Sequence, residues 1–199
     1  PPRFLDPLAA GYTLPRERIE EAWRNVLFNQ FHDILPGSGV IETREHALGL
    51  FQETMAAAGT IRKMSLERLA AAIDTASLAS PAAPGATSEG AGAGFGADRF
   101  KVTQVERGRG GTRIVHVFNP SLFEREEAVE IVLWDWKTPV KAVVVRDARG
   151  REVPSQLLDR GRNAYWGHDY IRLLAHVRVP AGGYATFTVA EGAEDAAPF

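Results

Sequence analysis

The chain has 199 residues, 45% of them hydrophobic and 24% charged, with a formal net charge of -2. That length suits one large domain or two smaller ones, and the near-balanced charge argues against a nucleic-acid or general polyanion binder, which needs a basic face. There are no cysteines, which excludes disulfides and thiolate metal sites and fits a reducing, cytoplasmic setting.

At the N-terminus, Pro1-Pro2-Arg3-Phe4 is followed by Asp6 and Pro7 instead of the apolar run of a secretory leader. No stretch approaches the roughly 18 apolar residues of a membrane helix. A soluble chain is expected, with neither nucleic acid nor membrane as partner. The two opening prolines and the missing Met suggest a piece of a longer polypeptide.

Residues 1–13 read as an irregular lead-in with a short helical scrap at Leu5 to Ala10. A helix then starts at Pro15, whose missing N–H costs nothing in a first turn. Ile19, Ala22, Trp23, Val26, Leu27, Phe31, Ile34 and Leu35 recur at three and four residues, which predicts a helix with one buried face. Pro36-Gly37 ends it. Ser38 or a neighbour is expected to cap the next helix.

From Val40 to Ala79 the pattern remains helical, with Ile41, Leu48, Phe51, Met55, Leu66, Leu69 and Ile73 on one seam. Gly59-Thr60 weakens it by about 1 kcal/mol, so the stretch is one long helix or two. Either way the prediction is a small antiparallel helical bundle over residues 1–79.

Residues 80–98 are rich in Pro, Gly, Ala and Ser and read as a flexible linker. Beyond it the period switches from 3.6 to 2. Strands are predicted at Phe100 to Val105, Thr112 to Phe118, Ala128 to Trp134, Val140 to Val145, Val153 to Leu158, Tyr170 to Val179 and Tyr184 to Val189. Turns are expected at Gly108 to Gly111, Asn119-Pro120, Ala148 to Gly150, Asp159 to Gly161 and Pro180 to Gly183. The fold class is therefore α plus β as separate domains, a helical bundle followed by an antiparallel β-sandwich over residues 99–199.

The stretch with most chemical content is Asn29 to Ser38, where His32 and Asp33 sit side by side as a helix gives way to a turn. A His at a helix end is most often structural or a dipole partner. A metal there needs three or four donors, and His46, His116, His168 and His176 are scattered with no HxxxH or HExxH spacing. Any metal at His32 would need ligands from outside the chain, and His116 and His176 read as satisfied sheet residues.

Gly108 to Gly111 with Arg107 and Arg109 could cradle a phosphate, but a hairpin turn is the simpler reading because no helix follows. Glu124 to Glu127 reads as a solvated strand entry. Trp134, Trp136, Tyr165 and Trp166 could stack on sugar rings, although core packing is their commoner use.

The segment Ala22 to Ser38, above all Asn29-Gln30-Phe31-His32-Asp33-Ile34-Leu35-Pro36-Gly37-Ser38, resembles the most recognisable part of the family 38 glycoside hydrolases, the α-mannosidases, in their bacterial and cytosolic branch. Val117 to Pro120 with Phe123 to Arg125, and Val179-Pro180 with Gly183-Tyr184, are similar to the family's C-terminal β region. The resemblance implies a fragment of a retaining, zinc-dependent α-mannosidase that holds the middle helical domain, of the three-helix type, and the first part of the β region. It implies His32 as a zinc ligand and Asp33 as a contact to the sugar.

The nucleophile, the acid and the remaining zinc ligands belong to the family's N-terminal catalytic domain, so no catalytic residue is assigned in this chain. The fragment alone is expected neither to hydrolyse mannosides nor to hold zinc tightly. The implied partners are mannose-containing glycans and the N-terminal domain of the same polypeptide, with a homo-oligomer left open. The competing reading is a non-catalytic carbohydrate-binding or assembly module.

Overall fold

The computed structural model describes residues 13–78, 112–136, 143–163 and 168–191. Its contacts divide the chain into two compact units, with a boundary between Ile73 and Asp74. The expected strand at Phe100 to Val105, the turn at Gly108 to Gly111, the linker at residues 80–98 and the helical scrap at Leu5 to Ala10 lie outside the described residues.

In the helical unit, Arg16–Asn29 forms α1. Pro15 is its N-cap rather than its first helical residue, and the Pro15 carbonyl accepts the Ile19 amide at 3.1 Å. Glu17 lies in the first turn, where the helix dipole favours a negative charge. The second helix, α2, runs Ile41–Ala71 without a break at Gly59. The Thr60 hydroxyl donates to the Ala56 carbonyl one turn back, at 2.9 Å, so this polar side chain is satisfied within the helix. A single glycine penalty of about 1 kcal/mol does not interrupt so long an element. The helix stops short of Ala79 because the Asp74 carboxylate accepts the Ala76 amide at 3.0 Å, a local turn that competes with helical hydrogen bonding.

The last turn of α1 packs on the second turn of α2. The Asn29 side-chain amide donates to the Ala47 carbonyl at 3.0 Å, and the Phe28 ring meets the His46 ring edge-on at 5.7 Å. Ala47 and Ala57 are the buried residues of α2, and α1 has none. Trp23, Leu27, Phe31, Leu35, Leu48, Phe51 and Met55 stay exposed. The predicted buried face is thus only partly covered, because two helices bury a narrow strip on each other whereas the apolar stripe of a globular helix is wider. The described residues hold these two helices.

The second unit consists of two antiparallel sheets. In chain order the strands are β1 Thr112–Asn119, β2 Arg125–Trp134, β3 Val143–Asp147, β4 Glu152–Val153, β5 Ser155–Asn163, β6 His168–Val179 and β7 Gly183–Glu191. One sheet has the order β1-β7-β3-β4 and the other β2-β6-β5. Alternation places Ile171, Leu173, Ala175, Val177 and Val179 of β6 in the same apolar cluster as Ile131 and Leu133 of β2, Val145 of β3, and Phe187 and Val189 of β7. Both sheets therefore contribute to one core. Each fully buried residue of this size stabilises the fold by roughly 1.5–3 kcal/mol.

The stretch Val153 to Leu158 does not form a single strand. Pro154, which has no amide to donate to a ladder, separates β4 from β5, and the chain changes sheet there. The Pro154 carbonyl accepts the His176 amide at 2.9 Å. Asp159 to Gly161 is also not a turn: β5 continues through it, with a register shift between Leu157 and Asp159. Asp159 accepts two bonds from the Arg172 guanidinium, at 2.8 and 2.7 Å. Gly161 is required by crowding, since a Cβ there would lie 2.6 Å from the Tyr170 hydroxyl oxygen. A glycine that reads as a turn signal in sequence thus serves a close approach between strands.

The two ends of the core strands are joined through Asn119. Its amide donates to the carbonyls of Phe123, Val179 and Pro180 at 2.9, 3.2 and 3.0 Å. Its Oδ1 accepts the Ser121 amide at 3.0 Å and the Ser121 hydroxyl at 2.6 Å. The Gly182 amide, from a residue with φ 52, donates to the Ser121 carbonyl at 2.8 Å. The β1–β2 and β6–β7 connections are thereby one hydrogen-bonded unit.

Replacing Asn119 by Ala strands several carbonyls in a buried setting. The expected loss is about 1–3 kcal/mol of the β unit's stability, read by denaturant unfolding; a change below about 0.5 kcal/mol would count against this role.

Two groups give a pH dependence. Burial pushes the His116 imidazole below its ordinary value, so the unfolded chain takes up that proton first and stability falls as pH drops below about 6.5. The Arg172 hydrogen bonds hold the Asp159 carboxyl below the usual range. That contribution is present above about pH 4 and is lost as pH falls through the depressed folded value. A thermal midpoint that declines from pH 7 to 5 and declines further below about pH 4 is expected, with the first slope flattened by His116→Gln.

Candidate functional site

The candidate site is the reversal between α1 and α2. Sequence periodicity extends the first helix through Leu35, but α1 ends at Asn29 and the chain continues in turns. Pro36 explains why a helix cannot run on: its ring would clash with the carbonyl four residues earlier, and it restricts Leu35 away from helical geometry. The Ile34 and Leu35 amides both bond to the Phe31 carbonyl, at 2.9 and 3.0 Å. Gly37 takes φ 78, a conformation that glycine adopts without a Cβ penalty.

Asp33 plays two separate parts. Its backbone carbonyl accepts the Gly39 amide at 3.2 Å and the Ser38 hydroxyl at 3.2 Å, which closes the turn. Ser38 is therefore not the cap of α2; Val40 holds that position without a side-chain bond. The Asp33 carboxylate is left exposed, 3.5 Å from His32 Nε2. The side chains of His32 and Asp33 are 78% and 61% exposed, so both are open to a ligand arriving from outside the helical unit. The Phe31 ring lies 4.2 Å from the His32 ring and limits how the imidazole can turn.

Two concavities meet at this turn. The larger, about 670 Å³, is lined by Leu27, Phe28, Phe31, Asp33 and Thr43 among others. The smaller, about 220 Å³, is lined by Asn29, Asp33, Thr43, Arg44 and Phe51 among others. Asp33 and Thr43 border both, so a carboxylate and a hydroxyl are placed to meet a hydroxylated ligand. The walls of both are mainly apolar.

His32 and Asp33 offer one imidazole nitrogen and one carboxylate. Among the described residues no group of three or more His, Cys, Asp or Glu converges. The donor set fits a contribution to a zinc site and does not complete one, since zinc takes three or four protein donors.

The other candidates resolve differently. Trp134 is fully buried and stacks edge-on to Tyr170 at 5.5 Å. Trp136 is 8% exposed, with the Arg113 guanidinium 5.6 Å over its ring. Neither indole presents a face to a sugar, which corrects the stacking option for these two; Tyr165 and Trp166 lie outside the described residues. His116 meets Thr186 Oγ1 at 3.0 Å, a satisfied sheet residue as expected. His176 lies 3.9 Å from Glu126 on the strand pair. Glu124 is a solvated strand-entry residue that accepts from Arg178 at 2.7 Å. The residue that sequence reading missed is Asn29, whose only signal is an amide on the α2-facing side of an otherwise apolar helical stripe.

Comparison with known proteins places these features in a class. Residues 4–69 match the family model described as the alpha mannosidase middle domain, so α1, the His32–Asp33 turn and all but the end of α2 fall inside that match. No curated protein matches the chain. The whole chain superposes on a glycosyl hydrolase family 38 protein of Enterococcus faecalis, with a TM-score of 0.63 and 17% identity. The chain covers 23% of that protein's length. The first match covers about a third of the chain and is to a mannosidase middle domain; the second, at 17% identity, shows a shared fold. No helix among the described residues is long and apolar enough to cross a membrane.

A solvent-exposed pair such as His32–Asp33 contributes little to folding. His32→Ala and Asp33→Ala are each expected to shift unfolding free energy by less than about 0.5 kcal/mol. A loss above about 2 kcal/mol for either would make the pair a structural element instead.

Proposed function

We propose that this chain is the middle helical domain and the first part of the β region of a retaining, zinc-dependent α-mannosidase that hydrolyses terminal α-mannosyl bonds. The β region is then a sandwich of two sheets over one core, and the helices belong to a three-helix bundle. The observation that carries the reading is the middle-domain match over residues 4–69, which spans the exposed His32–Asp33 pair, with Asp33 bordering two concavities.

In this reading Asp33 accepts a hydrogen bond from a hydroxyl of the terminal mannose. His32 supplies one imidazole donor to a zinc ion whose other ligands lie in a catalytic domain outside this chain. Zinc, when bound, acts as a Lewis acid and template that grips sugar hydroxyls. A glycosidic bond breaks through an oxocarbenium-like state, reached more readily when the ring is held distorted. Holding one hydroxyl from this wall of the site is the part this chain would perform. The catalytic carboxylates are assigned to the same outside domain.

The exposed apolar side chains of α1 and α2, among them Trp23, Leu27 and Phe51, support a neighbouring domain of the same polypeptide as the covering partner. The cysteine-free composition fits the cytoplasmic setting proposed for it. The alternative, a non-catalytic carbohydrate-binding or assembly module, would use the same exposed faces without hydrolysis.

The two part company in the full-length polypeptide. His32→Ala is expected to lower zinc content and to reduce turnover of an aryl α-mannoside by more than the roughly tenfold effect of a supporting residue. Metal content and turnover equal to the unsubstituted protein would remove His32 from the site and leave the module reading.

A further inference from the structure

We infer that Asn29 is a positioning residue that sets where Asp33 stands relative to α2; the inference rests on the sugar-contact reading of Asp33.

The turn is internally closed, because the Asp33 carbonyl accepts both the Gly39 amide and the Ser38 hydroxyl at 3.2 Å. A segment closed on itself can move as a body about its attachment, so the attachment decides where Asp33 points. On the α1 side that attachment is Asn29, the last helical residue, four positions before Asp33. Its Nδ2 donates to the Ala47 carbonyl at 3.0 Å. Ala47 is one of the two buried residues of α2, and its small side chain lets the end of α1 come close enough for that bond.

The second observation concerns the other end of the amide. Asn29 Oδ1 is buried and has no hydrogen-bond partner among the described residues. A buried acceptor without a partner is unfavourable, so an amide at this place is a poor choice for stability by itself. An apolar side chain of similar size would avoid that cost but could not donate to Ala47. The donor is what the position retains. Asn29 also lines the smaller concavity that Asp33 borders, so displacement of this residue alters the same wall. A polar residue in a helix contact is a known way to fix register at some expense of stability.

The test uses the full-length polypeptide and a double-variant cycle. Asn29→Asp keeps the size of the side chain but replaces the donor by an acceptor facing the Ala47 carbonyl. Because Asp33 is read as a binding contact, Asn29→Asp is expected to raise KM for an aryl α-mannoside about fivefold, the scale of one hydrogen bond, with kcat changed less than about twofold. Asp33→Asn alone is expected to raise KM as well. In the double variant the KM increase should be no larger than that of Asp33→Asn alone, because Asn29 acts through Asp33.

Multiplicative effects of the two substitutions, or a lowered thermal midpoint for Asn29→Asp with KM unchanged, would overturn the positioning role and leave a structural one. If Asp33→Asn by itself leaves KM unchanged, the sugar-contact reading fails and the role of Asn29 falls with it. The competence of the fold is read independently from far-UV circular dichroism and from the Asn29→Ala variant, which removes the donor without adding a charge and should raise KM to a similar extent.

Discussion

The site depends on one constraint, the forced reversal of the chain between α1 and α2. Pro36 forbids helical continuation, Gly37 supplies the left-handed backbone, and the Asp33 carbonyl gathers the bonds that close the turn. A residue whose main chain is fully committed to the turn has its side chain free for a ligand. The same turn that ends one helix and begins the next thus presents an imidazole and a carboxylate outward, at little cost in folding energy.

The helical unit and the β unit are stabilised by different means. In the helices the apolar residues outnumber the positions that a pair can bury, and α1 has no buried residue at all. Such an element gains most of its stability from packing and not from propensity, and large apolar side chains of both helices stay exposed. The β unit is more self-sufficient. Its two sheets share a core, and Asn119 ties the β1–β2 and β6–β7 connections with buried hydrogen bonds. The two sequence segments that resemble a family 38 β region, Val117 to Arg125 and Val179 to Tyr184, are the segments that Asn119 brings together.

Much of the architecture was legible because period is a direct consequence of geometry. Apolar spacing of three and four gave both helices, and alternation gave the strands, since side chains repeat every 3.6 residues in one and every two in the other. Ends and breakpoints were less legible. Leu35 continues the helical pattern, but a proline one residue later acts backwards on its neighbours. Gly161 looked like a turn and instead makes room for Tyr170, a residue nine positions away that only strand pairing brings near. Pro154 lies within an apparent strand and is the point where the chain leaves one sheet for the other.

For the site itself, the sequence determined the chemical groups: His32 and Asp33 adjacent, in front of Pro36-Gly37, with no cysteine and no nearby ligand spacing to complete a metal centre. These are local facts, fixed by neighbours along the chain. Tertiary structure decided that both side chains stand exposed, that Asp33 borders two concavities, and that Trp134 and Trp136 are buried away from any sugar. It also decided the role of Asn29, whose hydrogen bond to Ala47 spans eighteen residues. Contacts of that separation depend on how the chain reverses, and no periodicity within either helix encodes which amide will meet which carbonyl.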